Sequence, residues 1–220
     1  MRMFWILLLL LVPVHDAAVA AQTDDQPSAF ISANFGGFLT SNRDFSKVYD
    51  SNLGLAFGAS LGLPLSAQSY LYGKVTYFSK TGVPVLYTYH VQNGTLVSTT
   101  EWRTGTARFK QWIVNFGSQY NVFLSENVLL GINGGFTYSS ISDDQSNPDG
   151  SEGASAHGNG LLGLFVGAGL EKRFAGSPIS AFAEGQYNYG WPVISATVGN
   201  YGGLNLTVGI RYYFRDRRKP

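Results

Sequence analysis

The chain has no cysteine. That absence excludes disulfides, thiolate metal sites and a lipid-modified cysteine anchor, so an exported form must be held by hydrogen bonds and burial alone. Charge is scarce as well. Asp, Glu, Lys and Arg make up 13% of residues, against a usual share of about a quarter. The formal net charge of +1 gives no broad basic footprint, so nucleic acid is not an expected partner. The histidines are His15, His90 and His157, which leaves little for acid–base chemistry. The longest apolar run, Phe4 to Val14, falls short of the roughly 20 residues that a membrane-spanning helix needs. What the chain does have is 27 Gly and an aromatic content of 15%, mostly Phe and Tyr.

The two ends read differently from the middle. Met1 and Arg2 give a basic start, Phe4 to Val14 an apolar stretch, and Ala18-Val19-Ala20 the small residues of a cleavage site. This order predicts a cleaved signal peptide over residues 1–20, followed by a short N-terminal segment over 21–28. At the other end, Arg215-Asp216-Arg217-Arg218-Lys219-Pro220 predicts a disordered basic tail over 215–220.

Between them the pattern has a period of two. In the last stretch Leu204, Leu206, Val208, Ile210, Tyr212 and Phe214 alternate with Asn205, Thr207, Gly209, Arg211 and Tyr213. Such alternation is a β-strand with one apolar and one polar face. About eight strands of this kind follow from Phe30 onward, the smallest common number for a membrane barrel. They are predicted near 30–39, 53–63, 70–78, 109–124, 128–141, 161–174, 179–189 and 204–214. Short connections at 64–68, 125–127 and 175–178 alternate with long ones at 40–52, 79–107, 142–160 and 190–203. An up-and-down barrel places all of the former on one side and all of the latter on the other. Within the second long connection, Asn93-Gly94 between apolar runs predicts a type I′ hairpin that extends its flanking strands above the membrane.

Which face looks inward is settled by composition. A water-facing strand surface carries about a quarter to a third charged residues, whereas the polar faces here are Gly, Ser, Asn, Gln and Thr. Small polar side chains suit the narrow interior of an eight-stranded barrel, and bulky aliphatic ones suit lipid. Tyr70, Trp112, Tyr120, Tyr138, Tyr187, Tyr189, Trp191 and Tyr212 recur near strand ends, as interfacial girdles require.

These features resemble the eight-stranded outer-membrane β-barrel family, the one that includes the transmembrane domain of OmpA. The resemblance covers residues 29–214 and rests on strand pattern, loop asymmetry and the ending Tyr212-Tyr213-Phe214. It implies an all-β, antiparallel up-and-down barrel in the outer membrane, with short periplasmic turns and long extracellular loops. It also implies contact with the lipid bilayer and lipopolysaccharide, and recognition by the outer-membrane assembly machinery, with Tyr212 and Phe214 as the assembly signal. Family members that end in Phe have nothing after it, so the basic tail is a departure.

The candidate site is a set of charges on the predicted inward faces: Lys74, Glu171, Glu184 and Arg211. Strands six to eight are neighbours, which puts Glu171, Glu184 and Arg211 at similar depth. Charges in so narrow an interior must be paired, so a structural network is expected; a gated ion or proton path through the same residues is the functional alternative. No catalytic residues, metal site or cofactor is expected. Ser155 and His157 do not make a triad, and the spacing of Asp143, Asp144, Asp149 and Glu152 fails the EF-hand pattern. The chain is therefore expected to be non-enzymatic, a structural or surface-interaction protein. Its extracellular loops would meet a host or cell-surface ligand through Tyr49, Tyr87, Tyr89, Trp102, Trp191 and Tyr201, unless these rings cap the barrel mouth. A narrow, porin-like channel or transporter for small or apolar solutes is the second reading, and a lipid-modifying enzyme the third.

Overall fold

The computed structural model describes residues 28–42, 44–92, 95–147, 151–192 and 202–214. The predicted leader 1–20, the segment 21–27 and the tail 215–220 lie outside them. In chain order the elements are β1 (Phe30–Thr40), α1 (Phe45–Tyr49), β2 (Leu53–Pro64), β3 (Ser69–Gly82), β4 (Val85–Gln92), β5 (Thr95–Arg103), β6 (Thr106–Ser125), β7 (Val128–Ser146), β8 (Glu152–Arg173), β9 (Ile179–Pro192) and β10 (Gly203–Tyr213). Eight of the strands close a barrel in the order β1-β10-β9-β8-β7-β6-β3-β2, while β4 and β5 form a separate two-stranded sheet.

The barrel follows from the alternation. On β1, Ile31, Phe35 and Leu39 are exposed on the outside, and Ser32 and Asn34 are buried inside. On β10, Leu206, Val208 and Ile210 face out, and Asn205, Thr207 and Arg211 face in. Closure comes from β1 pairing with β10 along its whole length, Phe30 opposite Tyr213 and Thr40 opposite Gly203. No edge is left in the wall, so backbone groups pair from strand to strand around the ring, as a bilayer demands. The walls approach closely at glycines. A Cβ on Gly163 would lie 1.8 Å from the Tyr189 carbonyl oxygen on β9. Gly163→Ala must push two paired strands apart and is expected to cost about 1–3 kcal/mol, measured by urea unfolding of the refolded protein.

Three sequence expectations change. First, the connection predicted at 142–160 is mostly strand. β7 continues to Ser146, β8 begins at Glu152, and Asp143 pairs with Ala156. Above the lipid nothing requires apolar residues on alternate positions, so the hydrophobic period stops while the backbone ladder goes on. Second, the hairpin within 79–107 pairs only with itself, from Val85 opposite Arg103 to Gln92 opposite Thr95. Asn93-Gly94, the predicted turn, lies outside the described residues. Third, Tyr70 is not in a girdle. It is buried, 1% exposed, inside the barrel, because β3 carries aromatics on both faces and the closing register turns this one inward.

Candidate functional site

The interior is filled in layers. At the short-turn end Phe30, Tyr70, Tyr72 and Phe165 form an apolar cluster with Tyr213 packed against it. Beside it the Arg211 guanidinium hydrogen-bonds Glu171 and lies 3.9 Å from the centre of the Phe30 ring. The Tyr213 hydroxyl donates to the other Glu171 oxygen at 2.6 Å. Arg173 stands 3.8 Å from the same oxygen and over the Tyr213 ring. One inward row further along, Lys74 donates to Glu184 at 2.5 Å. Asn133 donates to Glu184 at 3.0 Å and Tyr72 at 3.4 Å.

All four predicted charges are therefore buried, but as two pairs rather than one group. Arg211 hydrogen-bonds Glu171, and Lys74 takes Glu184. The register explains it: Glu171 lies opposite Phe182 and Glu184 opposite Gly169, so the carboxylates sit on successive rows. Sequence reasoning placed these residues on the inward face but could not see which would meet across the lumen. Removing water from such groups is costly, and only hydrogen-bonded pairing offsets it. Tyr72, Tyr213 and Arg173 were not singled out by sequence; the inward parity of both tyrosines was the available signal.

Above the ion pairs lies an amide layer. Asn115 donates to Gln186 at 2.8 Å, Gln186 donates to Asn133 at 3.3 Å, and Asn205 donates to Thr76 at 3.5 Å. The long-loop end is then closed by apolar side chains from the wall, Phe38, Phe78, Phe109, Ile113, Ile141 and Leu161, around Phe45 and Tyr49 of α1. Tyr49 was expected as an exposed loop anchor. It is 3% exposed, stacked on Phe45 at 4.3 Å, and its hydroxyl donates to Asp143 at 2.6 Å. The spacing of Phe45 and Tyr49 puts both rings on one side of a single helical turn, a signal legible in the sequence but masked by the polar loop around it. Outside the lumen, Lys47 bonds Asp44 at 2.7 Å, and this hydrogen bond holds the Asp44 carboxyl below its ordinary value. The side chains of Tyr87, Tyr89, Trp102 and Trp191, and all of Tyr201, lie outside the described residues.

The outer wall is the reverse of the interior. Phe35, Leu55, Phe57, Phe116, Phe136, Val166, Leu206 and Ile210 are all exposed, in a band around a closed barrel. Trp112, Tyr138, Tyr187 and Tyr189 edge it on the long-loop side, and Phe123, Phe174, Tyr212 and Phe214 on the short-turn side. Tyr212 and Phe214 meet edge to face at 5.4 Å. A soluble protein does not expose so continuous an apolar surface; it is a face for lipid, with aromatic girdles at both interfaces.

No protein-family model matches the chain, and no curated protein does. Solved structures do match. Neisserial surface protein A (NspA) is 16% identical, with a TM-score of 0.53 over 84% of this chain and 97% of that one. Ail, the attachment invasion locus protein of Yersinia pestis, solved in complex with the heparin analogue sucrose octasulfate, is 14% identical, with a TM-score of 0.52 over 86% of this chain and 100% of that one. By fold, the chain is a closed eight-stranded antiparallel β-barrel, the architecture of these outer-membrane proteins. Its short connections, 65–68, 126–127 and 174–178, lie at one end of the barrel, and the aromatic mouth with the β4–β5 hairpin at the other. Among the described residues no group of three or more His, Asp and Glu could hold a metal.

Proposed function

We propose that this barrel is a non-conducting, non-enzymatic anchor that holds surface structures, the β4–β5 hairpin and the extended β7–β8 hairpin, at the cell exterior for contact with other cells or ligands. One observation carries the reading. The lumen is closed by aromatic clusters at both ends, with two ion pairs between them, and the internal cavity beside those pairs has a volume of about 10 Å³, room for one water. A lumen filled in this way supports a closed anchor over a solute path. The four lumen charges fit a structural role, fixing register and filling the core. Ail, by its name, acts in attachment and invasion, and an adhesive role suits this chain too. Of the described cations around the mouth, Lys47 and Lys110 pair with Asp44 and Asp144, Lys80 donates to the Ser51 carbonyl and Arg108 lies opposite Asp144, so a polyanion such as the one bound to Ail is not favoured. Lipopolysaccharide and the assembly machinery are the other partners this reading requires.

The test has two arms. Unboiled protein is expected to run at a different position from boiled protein in SDS gels and to give an almost wholly β far-UV spectrum, since its backbone is satisfied within the wall. Planar bilayers containing it are expected to show no stepwise conductance. Steady single-channel currents would overturn the anchor reading in favour of a narrow channel.

A further inference from the structure

We propose that the lumen holds one fixed water molecule between the two ion pairs, and that this water joins them into a single hydrogen-bonded network. The inference goes beyond the anchor reading and does not rest on it. The site begins with two missing side chains. Gly131 on β7 and Gly169 on β8 lie directly opposite each other. Both take inward positions, since Leu129, Asn133 and Glu171, two residues away on the same strands, are buried. Along this row Asn121 is the next neighbour of Gly131, and Glu184 the next neighbour of Gly169. Where side chains elsewhere cover the inner face of the wall, a cavity of about 10 Å³ is left beside the glycines, which takes one water. Gln119, Arg211 and both carboxylates, Glu171 and Glu184, line it.

The lining selects the occupant. Arg211 hydrogen-bonds Glu171 through Nη1, and its Nε, a donor, has no partner among the described residues. The Gln119 amide donates through Nε2 to Asn121 at 2.7 Å, which fixes the sense of the amide. Its acceptor, Oε1, has no partner among the described residues either. Gln119 is 2% exposed and Arg211 4%, so bulk solvent cannot serve them, and a buried donor or acceptor left unpaired is costly. Of the buried polar atoms in this condition, these two belong to side chains that line the cavity. An occupant must accept from Arg211 and donate to Gln119. A cation would face the Arg211 donor, and the carboxylates are already neutralised by Lys74 and Arg211. An anion would face the carboxylates. A neutral water satisfies every side: its oxygen takes the Nε proton, one hydrogen goes to Gln119 Oε1 and the other to Glu184. That carboxylate accepts from Lys74, Asn133 and Tyr72 and keeps room for a fourth bond. Three bonds are the usual number for a buried water. The two pairs that strand register sets on successive rows are thereby coupled.

The test is NMR of the full chain, isotope-labelled at arginine and refolded in detergent micelles. The Arg211 Nε–H is assigned through its contacts with the Phe30 and Phe182 rings, over which the guanidinium lies. It is expected to show a cross-relaxation peak at the water frequency, with the sign of a long-lived contact and not of proton exchange. Gly131→Ala sets a methyl group at the cavity. The added carbon meets Gln119 Nε2 and Asn121 Oδ1 at 3.3 Å, the ends of side chains that can shift. This variant is expected to lose the peak and keep heat-modifiable mobility. Gln119→Leu, which removes the acceptor, is expected to lose it too, and it carries the test if Gly131→Ala does not fold. No such peak in wild type, or a peak that persists unchanged in the folded variants, overturns the proposal. So does a shift of the Arg211 signal when sodium in the buffer is replaced by N-methylglucamine, which would mean a bound cation in place of water.

Discussion

Arg211→Ala is expected to lower the unfolding free energy of the barrel by about 3–5 kcal/mol, the usual cost of leaving one member of a buried ion pair without its partner. Arg211 is 4% exposed and Glu171 also 4%, so the orphaned carboxylate cannot recover water. Tyr213 still donates to it and Arg173 remains 3.8 Å away, which keeps the effect within that range. The lost guanidinium also leaves the Phe30 and Phe182 rings without the cation packed over them. Removing both partners should cost less than the sum of the single losses, because no lone charge is left. Arg218, in the basic tail outside the described residues, is the control, and Arg218→Ala is expected to leave the midpoint unchanged. Urea unfolding in detergent micelles, followed by tryptophan fluorescence, checks both. Equal midpoints would mean that the pairing of Arg211 contributes nothing to holding the barrel closed.

Phe214→Ala is expected to reduce the amount of folded protein in the outer membrane several-fold, whereas deletion of residues 215–220 should leave it near the wild-type level. Phe214 follows β10 directly, 48% exposed, with its amide bonded to the Ala29 carbonyl at 2.8 Å. Its ring meets Tyr212 on the outward side, in the aromatic girdle at the short-turn end, and such rings are favoured at a membrane interface. It thus continues the apolar row of Val208, Ile210 and Tyr212 to the end of the strand that seals the barrel against β1. The tail has four cations, one acid and no apolar residue except Pro220. At most it gains weak attraction to anionic headgroups, about 1 kcal/mol per basic residue. The measurement is heat-modifiable protein in the outer-membrane fraction. If the tail deletion abolishes assembly and Phe214→Ala does not, the signal lies in the tail.

The sequence by itself determined the wall. Alternation has only two phases, and a one-residue slip would turn every side chain to the wrong face. The outward residues of β1, β6 and β10, such as Phe35, Trp112 and Ile210, were therefore legible, as were the inward Lys74, Glu171, Glu184 and Arg211. Turn positions were legible for the same reason, since Pro64, Asn127 and Pro178 interrupt the period. What only the tertiary structure decided lies where that period stops or where partners come from across the lumen. β7 and β8 run on past the lipid, where side chains are no longer sorted by solvent. Arg211 bonds Glu171 while Lys74 takes Glu184, because pairing across a closed barrel depends on the shear of the strands, which no single strand encodes. Tyr70 turns inward and Phe45 and Tyr49 fold down into the mouth because closing the barrel creates apolar space at both ends. Only a closed ring of strands has an inside to fill, so these residues acquire their place from the fold and not from their neighbours in the chain.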